Sequence, residues 1–404
     1  MTSQRIWIIS EIYYPVKTST GYYVTEIAEY LANKGLDIHV MCSNSFYNEE
    51  KNNVLLLKDD FRNGVYIHRV SVANMNKKSF IKRTFYLLWS SWLMFFRILY
   101  SVRSGDELLV VTNPAFLILM MPYIKWRKKI EYNILVHDVF PENLVAIKKI
   151  TSSSLLYKWL KKIFDKSYSK ACSCISIGRD MNEVLKTKIG LDSMIHFIPI
   201  WAENKIVYPL DKKNTNLCKH MHLENKFVFQ FAGNLGHAQG LDNLLKAIEL
   251  IDNPAIHFLF IGAGAKYDQI ASFSQNSQLH NISLIGFQNR ANQNDFLNAC
   301  DIGIVTLSEG MYGLGVPSKS YNIMAAGKPI LMIGDIRSEI AQCVTDFNLG
   351  WTIEPNDPLA LKLAIENIYA ERDHLSSIKN NARMVADTIF AKDRILEQYY
   401  SLFS

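Results

Sequence analysis

The sequence lacks several motifs by which enzyme chemistry is commonly recognised. It has no Asp-x-Asp pair, the common form of a carboxylate site for a metal ion that carries a diphosphate. It has no Gly-x-x-x-x-Gly-Lys-Ser/Thr loop, so P-loop ATPase chemistry is not expected. The six cysteines are scattered, and Cys172-x-Cys174 has the wrong spacing for a CxxC metal or redox pair. We therefore expect reduced thiols in a cytosolic protein and no metal site.

Long apolar runs and low-complexity tracts are also missing from the sequence. The first residues lead directly into a predicted strand, so we expect no signal peptide. The most apolar segment lies within residues 80–103, but Arg97 interrupts it. Its uninterrupted part is shorter than the roughly 20 residues that span a bilayer. At 404 residues, the chain is too long for one core and fits two domains.

Apolar runs that alternate with helical spacing predict an α/β fold with doubly wound parallel sheets. Arg5–Ser10 is predicted as a strand, Tyr22–Lys34 as a helix that ends at Gly35, and Asp37–Cys42 as the next strand. This βαβ opening favours a parallel sheet with helices on both faces. Further strands are predicted at Glu107–Thr112, Tyr132–His137, Ala171–Ser176, His196–Ile200, Phe227–Ala232, His257–Ile261, Ile282–Ile285, Ile302–Thr306 and Pro329–Ile333.

The alternation of predicted strands and helices begins again in the second half, which predicts two Rossmann-like domains. We place the first at residues 1–203 and the second at residues 204–386. A final helix at 387–404 is predicted to pack back on the first domain. Charge also divides the chain, because residues 1–205 carry a net charge of +10 and the remainder carries −4. A basic half suits anionic lipid, nucleic acid or a phosphorylated substrate.

Residues 80–103 permit two interpretations. The segment is either a helix buried against the first sheet, or a helix whose Trp89, Trp92, Phe95 and Phe96 enter the membrane interface. The basic cluster at residues 125–129 favours the second interpretation, since cations next to interfacial aromatics attract anionic lipid. A run of charges is more often a solvated face, so both interpretations stay open.

Gly-rich loops follow the predicted strands of the second half. They lie at residues 233–240, with Asn234 and Gln239, at 262–264, which begins with Gly262, and at Gly286-Phe287. In an open α/β sheet, ligands bind beyond the carboxyl ends of the strands. Several glycine loops at one edge therefore favour a nucleotide site more than any single loop does.

The most informative stretch is residues 311–334. Its loop contains Gly313, Leu314 and Gly315, and continues through Pro317-Ser318-Lys319 into a short apolar helix that stops at Gly327. Backbone N–H groups at a helix start attract anions, and Lys319 adds a full positive charge. This pattern suits the diphosphate of a nucleotide-activated substrate.

Two candidate groups lie in the first half. His137-Asp138 ends an apolar strand, and Pro141 turns the chain at the sheet edge. Asp138 either orients the imidazole or serves as a base itself. Arg179 lies at another strand–loop–helix junction, where it is a candidate for the leaving diphosphate or an ordinary surface ion pair.

The sequence resembles a GT-B glycosyltransferase of family 4 over most of its length. The similar segments are ISEIYYPVKTSTGYYVTEIAEYLANKGLDIHVMCS, VHDVFPENL, FAGNLGHAQGLDNLLKAI and GLGVPSKSYNIMAAGKPIL. They are most similar to the branch that builds bacterial surface polysaccharides, including transferases of N-acetylfucosamine-type sugars. The resemblance implies two Rossmann-like domains facing across a cleft, with the acceptor on the first and a UDP-linked sugar mainly on the second. It also implies retention of anomeric configuration and no metal.

The resemblance assigns roles to individual positions. Gly21 falls at the family's first glycine loop near the donor phosphates, and His137 falls near a histidine that contacts the donor sugar. Asn234 and Gln239 stand where many members carry an Arg and a Lys on the diphosphate. Leu314 and Asn322 stand where many carry two glutamates. We therefore expect Ser318 and Lys319 to supply the missing charge, Asn322 to bond a ribose hydroxyl, and Phe287 to lie by the base.

The predicted function is that of a retaining glycosyltransferase acting at the inner face of the cytoplasmic membrane. The expected donor is a UDP-sugar, and the expected acceptor is a polyprenyl-diphosphate-linked glycan of O-antigen or capsule. Residues 80–103 and 125–129 are predicted to meet anionic lipid, and no nucleic-acid partner or cofactor is expected. A sugar-nucleotide epimerase of the same fold and a non-catalytic partner subunit are the alternatives.

Overall fold

A computed structural model describes residues 4–16, 18–44, 56–72, 80–190, 194–276 and 281–404. The chain divides into two compact units. The first contains Met1–Val145, Ile150–Ile198 and Leu396–Ser404, and the second contains Ala146–Lys149 and Pro199–Ile395. The chain thus enters the second unit after Ile198, whereas the sequence predicts the boundary at residue 203.

The first unit is built on an eight-stranded sheet with the order β3-β4-β2-β1-β5-β6-β7-β8. Its strands are β1 Arg5–Ile9, β2 Asp37–Ser43, β3 Asp59–Arg62, β4 Val65–Val70, β5 Glu107–Val111, β6 Glu131–Val136, β7 Ser173–Ser176 and β8 Ile195–Phe197. All pairs are parallel except β3 with β4. The central strands are almost wholly buried, which explains their uninterrupted apolar sequences.

Helices connect these strands. They are α1 Ser19–Asn33, α2 Phe80–Ser101, α3 Met121–Lys128, α4 Glu142–Ala146, α5 Leu155–Tyr168 and α6 Arg179–Ile189. Thr18 caps α1 by accepting the N–H of Gly21, and Ser154 caps α5 by accepting the N–H of Tyr157. Of the helices that the structure describes, none combines the length and apolar character that a membrane crossing requires.

The second unit has a six-stranded parallel sheet with the order β11-β10-β9-β12-β13-β14. Its strands are β9 Phe227–Ala232, β10 Ile256–Ile261, β11 Ile282–Ile285, β12 Ile302–Thr306, β13 Ile330–Ile333 and β14 Gly350–Ile353. Counted from β9, this is the order 3-2-1-4-5-6 of a dinucleotide-binding fold, and the order reverses between β9 and β12. The predicted α/β fold with two Rossmann-like sheets is confirmed.

The helices of the second unit surround that sheet. They are α7 Asn216–His220, α8 Leu241–Glu249, α9 Tyr267–Asn276, α10 Gln293–Asn298, α11 Lys319–Ala325, α12 Glu339–Asp346, α13 Pro358–Ala370 and α14 Ser376–Thr388. The last helix, α15, spans Lys392–Phe403. It starts later than the predicted residue 387, because α14 continues to Thr388. The C-terminal part of α15 belongs to the first unit, where Glu397 accepts a hydrogen bond from Tyr30 at 2.5 Å.

Candidate functional site

Two glycine loops meet at the carboxyl edge of the second sheet, where β9 and β10 end. Gly233 and Gly262 both have positive φ, at 148° and 142°. A Cβ atom on Gly262 would lie 1.9 Å from the carbonyl oxygen of Gly233, and one on Gly264 would lie 2.5 Å from that of Leu235. Only glycine permits this approach, so the two loops form a floor of bare backbone at the end of the strands.

Lys319 lies over this floor. Its ammonium is 3.2 Å from the ring centroid of Phe231, one residue before the end of β9, and 3.7 Å from the place of a Cβ on Gly233. The nitrogen is buried and has no hydrogen-bond partner among the described residues. Burial lowers the pKa of Lys319 well below its ordinary value. A buried cation held only by an aromatic face is costly to desolvate, and a bound anion would remove that cost.

The loop before α11 has the predicted boundaries. Lys319 is the first residue of α11, the helix ends at Ala325, and Gly327 has a φ of 62° before β13 begins at Ile330. Gly313 is buried with a φ of 68°, and Gly315 is half-buried. Leu314 is buried and donates its N–H to Met311 at 3.1 Å, so its side chain packs inside the loop. Ser318 occupies the N-cap position without a side-chain capping bond.

The remaining donor-side predictions are placed around the same edge. Asn234 is exposed, and its amide oxygen would be 2.8 Å from a Cβ on Gly264. The carbonyl of Gln239 accepts a hydrogen bond from the Thr306 hydroxyl, which ties the 237–239 turn to the end of β12. Phe287 is exposed beyond the last strand of the sheet. The structure thus brings Asn234, Gly262 and Lys319 together and leaves Phe287 at the edge.

Asn322 has a partner within the second unit. Its side chain is buried and its amide oxygen accepts the N–H of Glu203 at 2.9 Å. Glu203 is itself buried and accepts a hydrogen bond from the Trp201 indole at 2.7 Å. Asn322 therefore ties α11 to the segment that opens the second unit, and its bond to a ribose hydroxyl stays a prediction.

In the first unit, His137 and Asp138 follow β6 as predicted. The Thr112 hydroxyl accepts the backbone N–H of both residues, at 3.1 and 3.2 Å. His137 is half-buried, and this desolvation lowers its pKa, which favours the neutral imidazole near pH 7. Asp138 is exposed. A neutral imidazole beside an exposed carboxylate can accept a hydrogen bond from a hydroxyl group.

Gly21 lies inside the first turn of α1, its N–H donates to the Thr18 hydroxyl at 3.2 Å, and it is buried. A Cβ there would lie 2.8 Å from the carbonyl oxygen of Val16. Packing therefore requires glycine here, and its place near the donor phosphates stays a prediction. Arg179 is the first residue of α6, at the carboxyl edge of the first sheet, and is half-buried.

Sequence reasoning missed two residues that define these sites. Phe231 has the spacing of a core residue on β9, so nothing local shows that its ring carries Lys319. Thr112 was predicted only as the end of a strand. Its position before Asn113-Pro114, at the carboxyl end of β5, was the available signal, since β5 and β6 are adjacent.

Comparison with known proteins gives the chain a family. Residues 213–385 match the family described as "Glycosyl transferases group 1". The chain is 37% identical over 324 residues to "Probable glycosyltransferase WbjE" of Pseudomonas aeruginosa, covering 80% of each protein. It is 25% identical over 224 residues to "Putative colanic acid biosynthesis glycosyl transferase WcaI" of Escherichia coli K12, covering 54% of this chain and 53% of that protein.

A solved structure agrees at the level of the fold. HepE from Anabaena, determined in complex with UDP, is similar with a TM-score of 0.73 over 99% of both chains at 12% identity. The family assignment rests on the Pseudomonas protein, which shares 37% identity over 80% of each chain, because a structure at 12% identity shows only the fold. The chain belongs to the group 1 glycosyltransferases and has their two-domain GT-B fold.

Proposed function

We propose that this glycosyltransferase moves a sugar from a UDP-linked donor to a lipid-linked acceptor during bacterial surface polysaccharide synthesis. The observation that carries the proposal is the buried Lys319 ammonium, which has no hydrogen-bond partner among the described residues and lies over the glycine floor. A diphosphate is the group in the donor that would complete its coordination. The UDP complex of HepE and the colanic acid name of the Escherichia coli relative support the donor and the pathway.

The proposed mechanism uses charge in place of a metal ion. Lys319 and Ser318, with the backbone of Gly313–Gly315, stabilise the negative charge that develops on the departing diphosphate. In the first unit, His137 and Asp138 are the groups that we assign to the acceptor. The acceptor hydroxyl passes its proton to an oxygen of the departing diphosphate as the bond to the anomeric carbon forms and the sugar–phosphate bond breaks. Attack on the face that the diphosphate leaves would retain configuration.

Acceptor dependence tests the function against its alternatives. We expect UDP release from a UDP-sugar mixture to rise several-fold when bacterial membrane extract supplies polyprenyl-diphosphate-linked glycan. An epimerase would instead convert the sugar nucleotide without any acceptor, and a binding subunit would do neither. The measurement is UDP release together with chromatography of the sugar nucleotides. Absence of acceptor-stimulated release with every extract would contradict the transferase proposal.

We also propose that the first unit docks on an anionic membrane surface. Trp92, Phe95 and Phe96 of α2 and Tyr123 and Trp126 of α3 form one continuous aromatic patch. Ring centroids are 5.1 Å apart for Trp92–Phe96, 5.8 Å for Phe95–Tyr123 and 5.7 Å for Tyr123–Trp126. Buried Tyr86, Met94 and Ile98 fix the opposite face of α2 on the protein, so the proposal applies only to the aromatic face of this helix.

Exposure and charge favour lipid as the occupant of this patch. Trp126 is 73% exposed and Phe96 is 52% exposed, which is unusual for large aromatic side chains. Exposed cations accompany them on the same two helices, at Lys82, Arg83, Arg127 and Lys129. Aromatic rings at headgroup depth beside cations suit an anionic lipid surface better than a neutral protein partner.

Vesicle flotation tests this docking. With vesicles of 30% phosphatidylglycerol in phosphatidylcholine, we expect the protein to float at low salt and progressively less as salt rises. The double variant Phe96→Ser/Trp126→Ser should bind at least about tenfold more weakly, because each buried aromatic contributes roughly 1.5–3 kcal/mol. Phe61→Ser removes an equally exposed aromatic on β3 and should leave binding unchanged. No flotation of the unmodified protein at low salt would contradict the proposal.

A further inference from the structure

Four charged side chains form a cluster between α4, α5 and α6. Lys188 has no exposed side-chain surface and donates to both carboxylate oxygens of Glu142, at 2.8 and 2.9 Å. Its ammonium also pairs with Asp165 at 2.7 Å. Lys161 completes the cluster, at 3.0 Å from Glu142 and 2.9 Å from Asp165. We call these four residues the Glu142 cluster.

A contribution to folding stability does not by itself explain why this buried group of charges is present. Replacing a buried ion pair with apolar residues is often neutral or stabilising, whereas removing one partner leaves a charge without compensation. The two lysines balance the two carboxylates, so the cluster is neutral as a whole. Burial raises the pKa of Glu142, but Lys188 and Lys161 more than offset it, and the net shift is downward. Such a cluster is well suited to fixing geometry.

The geometry that it fixes is that of the segment bearing His137 and Asp138. Glu142 is the first residue of α4, and Pro141 and Val139 accept the backbone N–H groups of Leu144 and Asn143. The Phe140 ring stacks on Phe164 of α5, with centroids 6.3 Å apart. The segment is thus held by the Thr112 hydroxyl at its start and by the Glu142 cluster at its end.

We propose that Glu142 and Lys188 are positioning residues for His137 and Asp138. The Lys188–Glu142 pair locks the end of the 137–142 segment to α6 and so holds the position of His137 beside Asp138. Lys188 acts only through Glu142 and touches no reacting atom. The catalytic consequence rests on the proposed transferase function, but the positioning itself does not.

The test reads the His137 ring directly. By NMR titration of labelled histidine, assigned with His137→Asn, we expect the His137 pKa to rise by about one unit or more in Lys188→Met, toward the ordinary value of about 6.5. Loosening the segment lets more water reach the half-buried imidazole, which favours its charged form. Lys212→Met is the matched control, since it breaks another buried lysine–carboxylate pair, Lys212–Asp301, in the second unit. It should leave the titration unchanged.

A second variant covers the event that Lys188→Met does not fold. Glu142→Gln keeps the shape of the side chain and leaves Lys188 paired with Asp165, and it should move the His137 pKa in the same direction by a smaller amount. In acceptor-stimulated assays, both variants should lower kcat about tenfold and leave the KM for the donor unchanged. An unmoved His137 titration in the folded variants would overturn the positioning role. Absence of transfer by the unmodified protein would instead overturn the proposed function. The His137 titration would then still decide the positioning role.

Discussion

Lys319→Met is expected to weaken donor binding strongly and at the same time to raise the thermal stability of the free protein. The ammonium lies buried on the Phe231 ring without a hydrogen-bond partner among the described residues. Methionine keeps the length and apolar contact of the side chain and removes the desolvated nitrogen. We expect the melting temperature of the free protein to rise by a few degrees. Charge-assisted bonds to the diphosphate contribute about 1.5–3 kcal/mol each, so UDP affinity should fall about 10- to 100-fold or more.

A fall in UDP affinity together with a rise in melting temperature distinguishes this prediction from ordinary destabilisation, which would lower the melting temperature. Calorimetry with UDP measures the affinity, and a thermal melt of the free protein measures the stability. Lys328→Met is the matched control, because Lys328 is also buried but donates to the Leu210 carbonyl at 3.3 Å. It should lower stability and leave UDP affinity within about twofold. Normal UDP affinity in Lys319→Met would remove Lys319 from the donor site.

The lowered pKa of Lys319 gives the same site a pH dependence. In the free protein, burial makes the neutral amine the favoured form as pH rises above that lowered pKa. A bound diphosphate favours the ammonium, so binding takes up a proton and affinity falls as pH increases. Calorimetry in buffers of different ionisation enthalpy would show this uptake in the unmodified protein and its loss in Lys319→Met.

Local sequence patterns were sufficient for most of the fold. The central strands are buried on both faces, so their apolar runs stand out, and glycines mark their ends. The strands that were missed are the edge strands β3 and β14, and β4, which pairs with β3 next to the edge. β3 reads Asp-Asp-Phe-Arg and pairs antiparallel at the edge, while β14 is half-buried along its length. Edge strands alternate with charged or polar residues because one side meets solvent, and this weakens their signal.

Site residues that neighbouring residues in the sequence point to could be predicted. Site residues that depend on contacts between distant parts of the chain could not. Lys319 at the start of α11 is visible in the sequence, since a glycine loop and Pro317 precede it. Its partner Phe231 is not, because a core phenylalanine and a cation platform have the same local pattern. The internal hydrogen bonds of Asn322 and Gly21 were hidden for a related reason. Both residues have the right type for ligand contact, but the Asn322 amide oxygen and the Gly21 N–H also bond to Glu203 and Thr18, which the local sequence does not show.

Gly262→Ala is expected to damage the donor site and the stability of the second unit together. The added methyl would lie 1.9 Å from the Gly233 oxygen, and φ at this position is 142°, which L side chains rarely adopt. The backbone of the β9 or β10 loop must therefore move, at a cost of about 2–4 kcal/mol in the free energy of unfolding. Since Lys319 lies directly over Gly233, we expect UDP affinity to fall at least about tenfold.

Two other glycines separate damage to the site from damage to the fold. Gly350 begins β14 with a φ of 145°, and a Cβ there would lie 2.0 Å from the Ile330 oxygen at the amino ends of the strands. Gly350→Ala should therefore cost similar stability and leave UDP affinity unchanged, because the site lies at the opposite edge of the sheet. Gly286 ends a strand on the site's edge, but a Cβ there meets nothing within 4 Å. Gly286→Ala should change neither property, so equal loss of UDP binding in Gly350→Ala and Gly262→Ala would refute the glycine floor as a donor site.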